Sequence, residues 1–468
     1  PSGALSSPNY AEEIVSKPVS SDNSTRLIGF LGTLNYSYND VYLLDASVRM
    51  DGSSEFGADK RFAPFWSAGT GVNIHNYGFM KGQTVIDQLK IRVSYGQTGK
   101  VNFPPYVART TYKMFTDGWY KTGFGGTLYA LGNTNLTWET TNTWDAGVEL
   151  SLWKRLLYIK ASYYQKKTVD LVNSVTIPSS TGFTTYMDNI GEVENKGYEL
   201  EFRSEVVRRK DLFVAVFANL AHNENRILKI SESLKAYNDR VKDHFANSNR
   251  FDGSNTQPFT QYVEGGSQTS IWGVPSLGID PATGEEIFIR PDGSITNTWN
   301  TNDQVVLGDT EPKIQGTFGL NATYKNLSLY MTFMYEAGGQ IYNSTLRDKV
   351  EDVNVYTSNV DKRVFSERWQ EPGDKARYRK LTSGVGGSIM RTRPTSRFVE
   401  DNNVLTLNSI SLGYDFDAGQ KWMKTIGLSM LRFEIGANDV CRWSSVNVER
   451  GLNYPYARSF NFSLKAAF

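Results

Sequence analysis

The side chains that most often carry catalysis are scarce in this sequence. Three histidines, His75, His222 and His244, and a single cysteine, Cys441, are all it holds of those two types. No His-Glu-x-x-His, Gly-x-Ser-x-Gly or Walker-type phosphate loop occurs, so metal-, serine- and nucleotide-dependent hydrolysis have no motif to start from. Gly96-Gln-Thr-Gly-Lys100 ends like a phosphate loop but lacks its spacing. A satisfied structural role is expected for the histidines, and a buried or rim position for the thiol. No catalytic residue and no cofactor is assigned; the chain reads as a non-enzyme.

Two groups of residues point to binding instead. Asp280, Thr283, Glu285 and Glu286 are oxygen donors around Gly284, a composition able to hold Ca²⁺, although their spacing is not that of an EF-hand loop. Trp119, Tyr120, Trp272 and Trp299 fall in long stretches without strand periodicity. Aromatic rings in such loops can stack on a sugar ring or a peptide side chain; the alternative is loops packing on one another or on a covering partner.

What must position these residues is a β architecture. The chain has 468 residues, 50 Lys+Arg against 49 Asp+Glu, 26 Tyr, 25 Phe, 10 Trp and 41 Gly. The net charge of +1 lacks the basic signature of a nucleic-acid binder. One cysteine rules out a disulfide framework and a cysteine-based zinc site. No run of 18 apolar residues exists, which excludes a transmembrane helix but leaves a transmembrane barrel open, because barrel strands alternate. Alternation is what the sequence shows. Tyr42, Leu44, Ala46, Val48 and Met50 oppose Leu43, Asp45, Ser47, Arg49 and Asp51; Trp144, Ala146, Val148 and Leu150 oppose Thr143, Asp145, Gly147 and Glu149. The polar set mixes Gly, Ser, Thr, Asn and single charges, which suits a water-filled lumen. The apolar set ends in Tyr, Trp and Phe, which suits aromatic girdles.

Thirteen such spans occur, near 27–38, 41–51, 65–74, 89–98, 140–153, 156–168, 186–205, 212–224, 313–324, 327–337, 404–416, 426–438 and 458–468. Short polar turns at Asn39-Asp40, Lys154-Arg155, 208–210 and Lys325-Asn326 alternate with long connections at 100–135, 171–185, 227–311, 340–400 and 439–457. Short turns on the periplasmic side and long extracellular loops are the habit of outer-membrane barrels. Single-chain bacterial barrels normally have an even strand number. An odd count whose first and last strands both run inward describes residues 1–468 as the C-terminal part of a larger barrel. The N-terminus, Pro1-Ser-Gly-Ala-Leu-Ser-Ser-Pro8, is not a signal peptide and reads like mid-loop. The last strand alternates to a terminal aromatic, Phe468, and so places the C-terminus in the periplasm.

Several segments, in order, resemble the SusC/RagA family of TonB-dependent outer-membrane transporters of the Bacteroidetes. They are Asp51-Gly-Ser-Ser-Glu-Phe-Gly57, Leu89-Lys-Ile-Arg-Val-Ser-Tyr-Gly-Gln-Thr-Gly99, Leu136-Thr-Trp-Glu-Thr-Thr141 and Asn189-Ile-Gly-Glu-Val-Glu-Asn-Lys-Gly-Tyr-Glu-Leu200. Gly278-Ile-Asp-Pro-Ala-Thr-Gly284, Leu307-Gly-Asp-Thr-Glu-Pro-Lys313 and Trp369 with Pro372-Gly-Asp374 continue the series. Departures are Lys100, where the family usually has Asn, the rearranged Ala63-Pro-Phe-Trp-Ser67 stretch, and a divergent Gly436-Ala-Asn-Asp-Val-Cys441. They touch rims and loops and leave the substrate class unspecified. Locally, Asp51-Gly52 and Asp292-Gly293 are expected to give positive φ at tight bends. Gly191 and Gly197 should mark a bulge or close backbone approach.

The resemblance implies an all-β, transmembrane antiparallel barrel of about 22 strands, closed by an N-terminal plug that lies outside these residues. It also implies energy-coupled import of an oligomeric glycan or peptide. The implied partners are TonB (through the missing N-terminal part), a SusD-like surface lipoprotein acting as a lid, and outer-membrane lipid, with no nucleic acid. A passive porin or adhesin barrel, and a soluble extracellular glycan-binding β-protein, are the alternatives. TonB dependence separates the first from the main reading, and solubility without detergent separates the second.

Overall fold

The computed structural model describes residues 24–56, 60–101, 106–120, 123–133, 136–176, 185–189, 191–247, 257–355, 359–381, 391–416, 419, 421–447 and 458–468. The N-terminal stretch 1–23, Gly57 of the first motif, and 448–457 of the last long connection lie outside them.

One antiparallel sheet of thirteen strands organises the chain, each strand pairing with its neighbour in sequence order. The strands are β1 (Leu27–Tyr38), β2 (Tyr42–Ser53), β3 (Phe62–Asn73), β4 (Ile86–Lys100), β5 (Glu139–Leu152), β6 (Leu157–Val169), β7 (Gly191–Arg208), β8 (Leu212–Ile230), β9 (Ile314–Tyr324), β10 (Leu327–Tyr342), β11 (Val399–Phe416), β12 (Met430–Ser444) and β13 (Ser459–Ala467). The alternating spans of the sequence thus become the strands. The one split is at 186–205: Thr185–Asn189 forms a hairpin with Val172–Thr176, and only Gly191 onward joins the sheet.

Three of the four short turns use left-handed backbone, the one at 208–210 excepted. Asn39 and Asp40 sit at φ 52° and 55°, and Trp153, Lys154 and Arg155 at 54°, 61° and 65°. Two successive positive φ values match the right-handed twist of the flanking strands. Gly293 bends at φ 81° as expected. Gly52 corrects its expectation: it lies inside β2, paired with Ile28 and Phe62. Glycine is required there because a Cβ would stand 2.5 Å from the Phe62 ring. At Gly197 the close approach is real, since a Cβ would collide with the His222 carbonyl and the Tyr164 ring. Beside Gly191, the β7–β8 register slips between Glu192 and Val193.

The two faces of the sheet divide by chemistry. Register opposes Tyr95 to Trp144, and Tyr163 to Tyr198 and Tyr198 to His222, while Trp66–Tyr95 and Trp144–Tyr163 are diagonal neighbours, so the six form one aromatic band across β3 to β8. Ring centroids along that band are 5.6 Å apart for Trp66–Tyr95, 5.9 Å for Trp144–Tyr163 and 5.0 Å for Tyr198–His222. Toward the long loops, the same face turns ionic at once, with Gln165–Glu194 at 2.6 Å, Lys167–Glu192 at 2.8 Å and Lys196–Glu224 at 3.2 Å. Toward the short turns it stays apolar, with Val148, Leu200 and Leu44 exposed, until Trp153. The nine steps from Trp144 to Trp153 span about 30 Å of strand at ~3.3 Å each. Tilted by ~40°, that is close to the ~25 Å apolar band of an outer-membrane barrel. The opposite face carries Arg92 paired with Asp145, and Arg432 with Asp415 at 3.1 Å.

His75 Nδ1 lies 3.2 Å from both the amide and the carbonyl of Leu89, and His222 Nδ1 lies 2.5 Å from the Lys313 carbonyl. Both are structural, as expected. His244 lies on the helix below, with its side chain outside the described residues. Cys441 is half-buried on β12.

Candidate functional site

All the long connections leave one end of the sheet, and two of them, 231–313 and 343–398, fold onto each other. The first begins with α1 (Glu232–Asn247), whose Leu234 and Val241 are buried. The helix lies within the long connection expected at 227–311, and Leu234, Tyr237 and Val241 recur there at helical spacing. Small loop strands follow: Ser270–Gly273 pairs with Val305–Asp309, and Ser276–Ile279, Glu286–Ile289 and Ile295–Thr296 make a three-stranded sheet. Ile271 joins Tyr342, Leu346, Val350, Val353, Val364, Tyr378 and Phe398 in one apolar cluster.

The recognised motifs dock in pairs. Trp369 donates its indole N–H to Pro281 O at 2.9 Å, and Gly373 N donates to the same carbonyl at 2.8 Å. The Trp369 ring covers Gly284 so closely that a Cβ would stand 2.5 Å away. Likewise Phe56 stacks on Trp138 at 4.6 Å, and Phe65 meets it edge-on at 5.6 Å. In both places, segments far apart in sequence pack on each other.

Beneath the loop surface lies a buried ionic network. Glu351, whose side chain is fully buried, accepts from Arg397 at 2.8 Å and lies 3.4 Å from Arg379. Arg397 also donates to Glu286 at 2.8 Å, and Arg379 to Asp352 at 3.0 Å. Burial works against the Arg397 charge, but Glu351 and Glu286 outweigh it and hold its pKa above the ordinary guanidinium value. Arg368 donates to backbone carbonyls of Val350, Glu351 (2.8 Å), Arg379 (2.7 Å) and Val364 (3.1 Å), stapling three segments together.

Above this network opens a cleft of about 600 Å³ between the two loops, within the ~300–1,000 Å³ of small-molecule sites. Segment 297–302 forms one wall, with Glu285 and Glu286; Arg379 and 391–393 form the other. Trp299 anchors its indole N–H on Pro394 O at 3.0 Å, and the Arg393 guanidinium lies 4.8 Å over its ring. Glu286 Oε1 and Thr301 Oγ1 are buried and have no hydrogen-bond partner.

Of the residues singled out in sequence, the cleft therefore unites Trp299, Glu285 and Glu286. Trp272 sits half-buried in its loop strand and does not line the cleft. Trp119 and Tyr120 end the loop strand Thr111–Tyr120, and their side chains are outside the described residues. Asp280 accepts from Ala282 N at 2.9 Å and Thr283 Oγ1 at 2.7 Å, bonds that hold its carboxyl below the usual carboxylate range. Glu285 pairs with Lys380 at 2.8 Å. The oxygen donors are thus directed to three different partners. Among the described residues, no His, Cys, Asp or Glu group of three or more converges as a metal site.

A family model described as TonB dependent receptor-like, beta-barrel, matches residues 2–343. TonB-dependent receptor P26 of Formosa agariphila is 29% identical over 95% of this chain and 46% of its own length. TonB-dependent receptor SusC of Bacteroides thetaiotaomicron is 27% identical over 83% of this chain and 38% of its own. Among solved structures, the RagAB peptide importer in its closed-closed state superposes with a TM-score of 0.78 at 23% identity, over 94% of this chain and 48% of that one. The chain thus spans a little under half the length of the relatives it matches.

Proposed function

Since this chain belongs to the TonB dependent receptor-like β-barrel family, we propose that it forms the C-terminal wall and outer loops of an outer-membrane importer of the SusC/RagA type. Its thirteen strands make up part of a barrel of about 22 strands. Oligomeric nutrient, glycan or peptide, is captured at the long-loop end under a SusD-like lipoprotein lid. TonB then drives displacement of a plug that the longer protein supplies. The long loops face outward and the short turns face the periplasm.

The observation that carries this reading is the apolar face bounded by an aromatic row, with ion pairs immediately above it and a docked loop layer beyond. A soluble glycan-binding β-protein has no reason to expose Val48, Leu44, Val148 and Leu200 on one continuous face. The test is uptake of labelled oligosaccharides and oligopeptides by cells carrying the full-length protein, with and without TonB and with and without the neighbouring lipoprotein. Loss of uptake on removing TonB is expected. Uptake that persists without TonB would establish a passive porin instead.

A further inference from the structure

We propose that the cleft between the two long loops is a binding site for an anionic oligosaccharide, gripped by Arg391 and Arg393 at its acidic group and by Glu286 and Thr301 at its hydroxyls. This rests on the import reading above and names the substrate chemistry that one part of the loop layer selects.

Both cleft carboxylates are matched inside the protein, Glu285 by Lys380 and Glu286 by Arg397. Arg379 is matched in turn by Glu351 and Asp352. The charge that Arg391 brings to the exposed wall is not offset by any of these pairs. Two residues away, the Arg393 guanidinium lies over the Trp299 ring, and Trp299 is fixed by its bond to Pro394 O. A guanidinium pre-oriented on an indole, beside a second arginine, suits a carboxylate or a sulfate ester.

The deeper part of the cleft asks for something a bare anion cannot supply. Glu286 Oε1 and Thr301 Oγ1 are buried without partners, and both residues line the cleft. Leaving a buried acceptor unpaired is unfavourable, and a ligand O–H donating to Glu286 would relieve it. A bare anion has no O–H to donate there. The wall 297–302, with its Asn and Thr side chains, offers both donors and acceptors. Phe288 and Trp299 are the apolar lining residues, too little for successive peptide side chains. A molecule with many hydroxyls and an acid group fits both ends; a sugar chain bearing uronate or sulfate is such a molecule.

The test uses the full-length protein, purified in detergent with its lipoprotein partner, on a glycan array. The array carries galacturonate, glucuronate, mannuronate and sulfated oligosaccharides beside carboxyl-reduced or desulfated counterparts and acidic oligopeptides. At least one acidic glycan should be retained, and its neutral counterpart should bind at least tenfold more weakly by calorimetry. Arg391→Gln, at an exposed position with no hydrogen bond or ion pair among the described residues, should remove that preference. Thr301→Val should weaken acidic and neutral forms alike. Equal binding of acidic and neutral forms, unchanged affinity in Arg391→Gln, or preference for the peptides would overturn the assignment. Uptake separates the two ideas: if TonB-dependent uptake persists in Arg391→Gln with its acid preference intact, only the cleft assignment fails. If the cleft binds as described but uptake ignores TonB, only the import reading fails.

Discussion

Replacing Glu351 by Gln would unlock the loop layer and leave the wall intact. The Glu351 carboxylate is fully buried and is shared by Arg397 and Arg379, whose side chains are only 9% and 10% exposed. It also accepts from Thr392 Oγ1 at 3.3 Å. Removing one partner of a buried ion pair costs about 3–5 kcal/mol, because the other charge is left uncompensated. Here Glu286 still holds Arg397 and Asp352 still holds Arg379, so the low end, about 3 kcal/mol, applies. At about 1.4 kcal/mol per decade, local opening rises about a hundredfold. Hydrogen exchange of the full-length protein in detergent reads this directly. Peptides from 343–355 and 391–398 should lose about two decades of protection, while peptides from β5 to β8 should not change. Loop protection within twofold of the parent would refute the idea that the ionic network closes the layer.

Other consequences follow from single contacts. Arg368→Leu leaves the carbonyls of Val350, Glu351 and Arg379 without their donor, and should destabilise the same loops by about 3–5 kcal/mol, seen as new protease cleavage in 343–381. Gly99→Val forces a side chain into the Phe65 ring, and overpacking of about 1–3 kcal/mol should lower the thermal midpoint and red-shift Trp138 emission. Asp361, in the loop layer outside the membrane, is held down to about 2 by its hydrogen bonds from Arg363. A lowered carboxylate pKa means the contribution is complete above the ordinary carboxylate pKa and is lost as pH falls through the folded value of about 2. Asp361→Asn should therefore cost under about 1 kcal/mol near neutrality and progressively less as the pH is lowered below the ordinary carboxylate range, read as the exchange difference from the parent at matched pH.

The wall was legible because lipid and water impose a two-residue period that no helix mimics. Where the apolar half of the period disappears, so does the signal. Beta8 was read to residue 224 but pairs on to Ile230, through Asn225 and Arg226, because above the aromatic row both faces are polar. In the same way β11 begins at Val399, five residues before its periodicity does. The cleft was half legible: Trp299, Glu285 and Glu286 were singled out, but as separate aromatic and metal-ligand candidates. Arg391, Arg393 and Thr301 gave no signal, since an arginine in a polar loop looks solvated until distant residues bury it. Arg347, Arg368 and Arg379 are in that class, each buried only once the loops have folded together. The glycine expectations were sound where backbone conformation decides, as at Gly293. They failed at Gly52, where a ring from the next strand decides.

The central claim, that this sheet separates lipid from water, can be tested on β5. Single cysteines at 143–150, in full-length protein carrying Cys441→Ser and reconstituted in lipid, would be spin-labelled and probed with oxygen and a water-soluble nickel chelate. Positions 144, 146, 148 and 150 should favour oxygen, and 143, 145, 147 and 149 the chelate, out of phase along the whole segment. Equal access of the chelate to both sets would contradict a membrane wall.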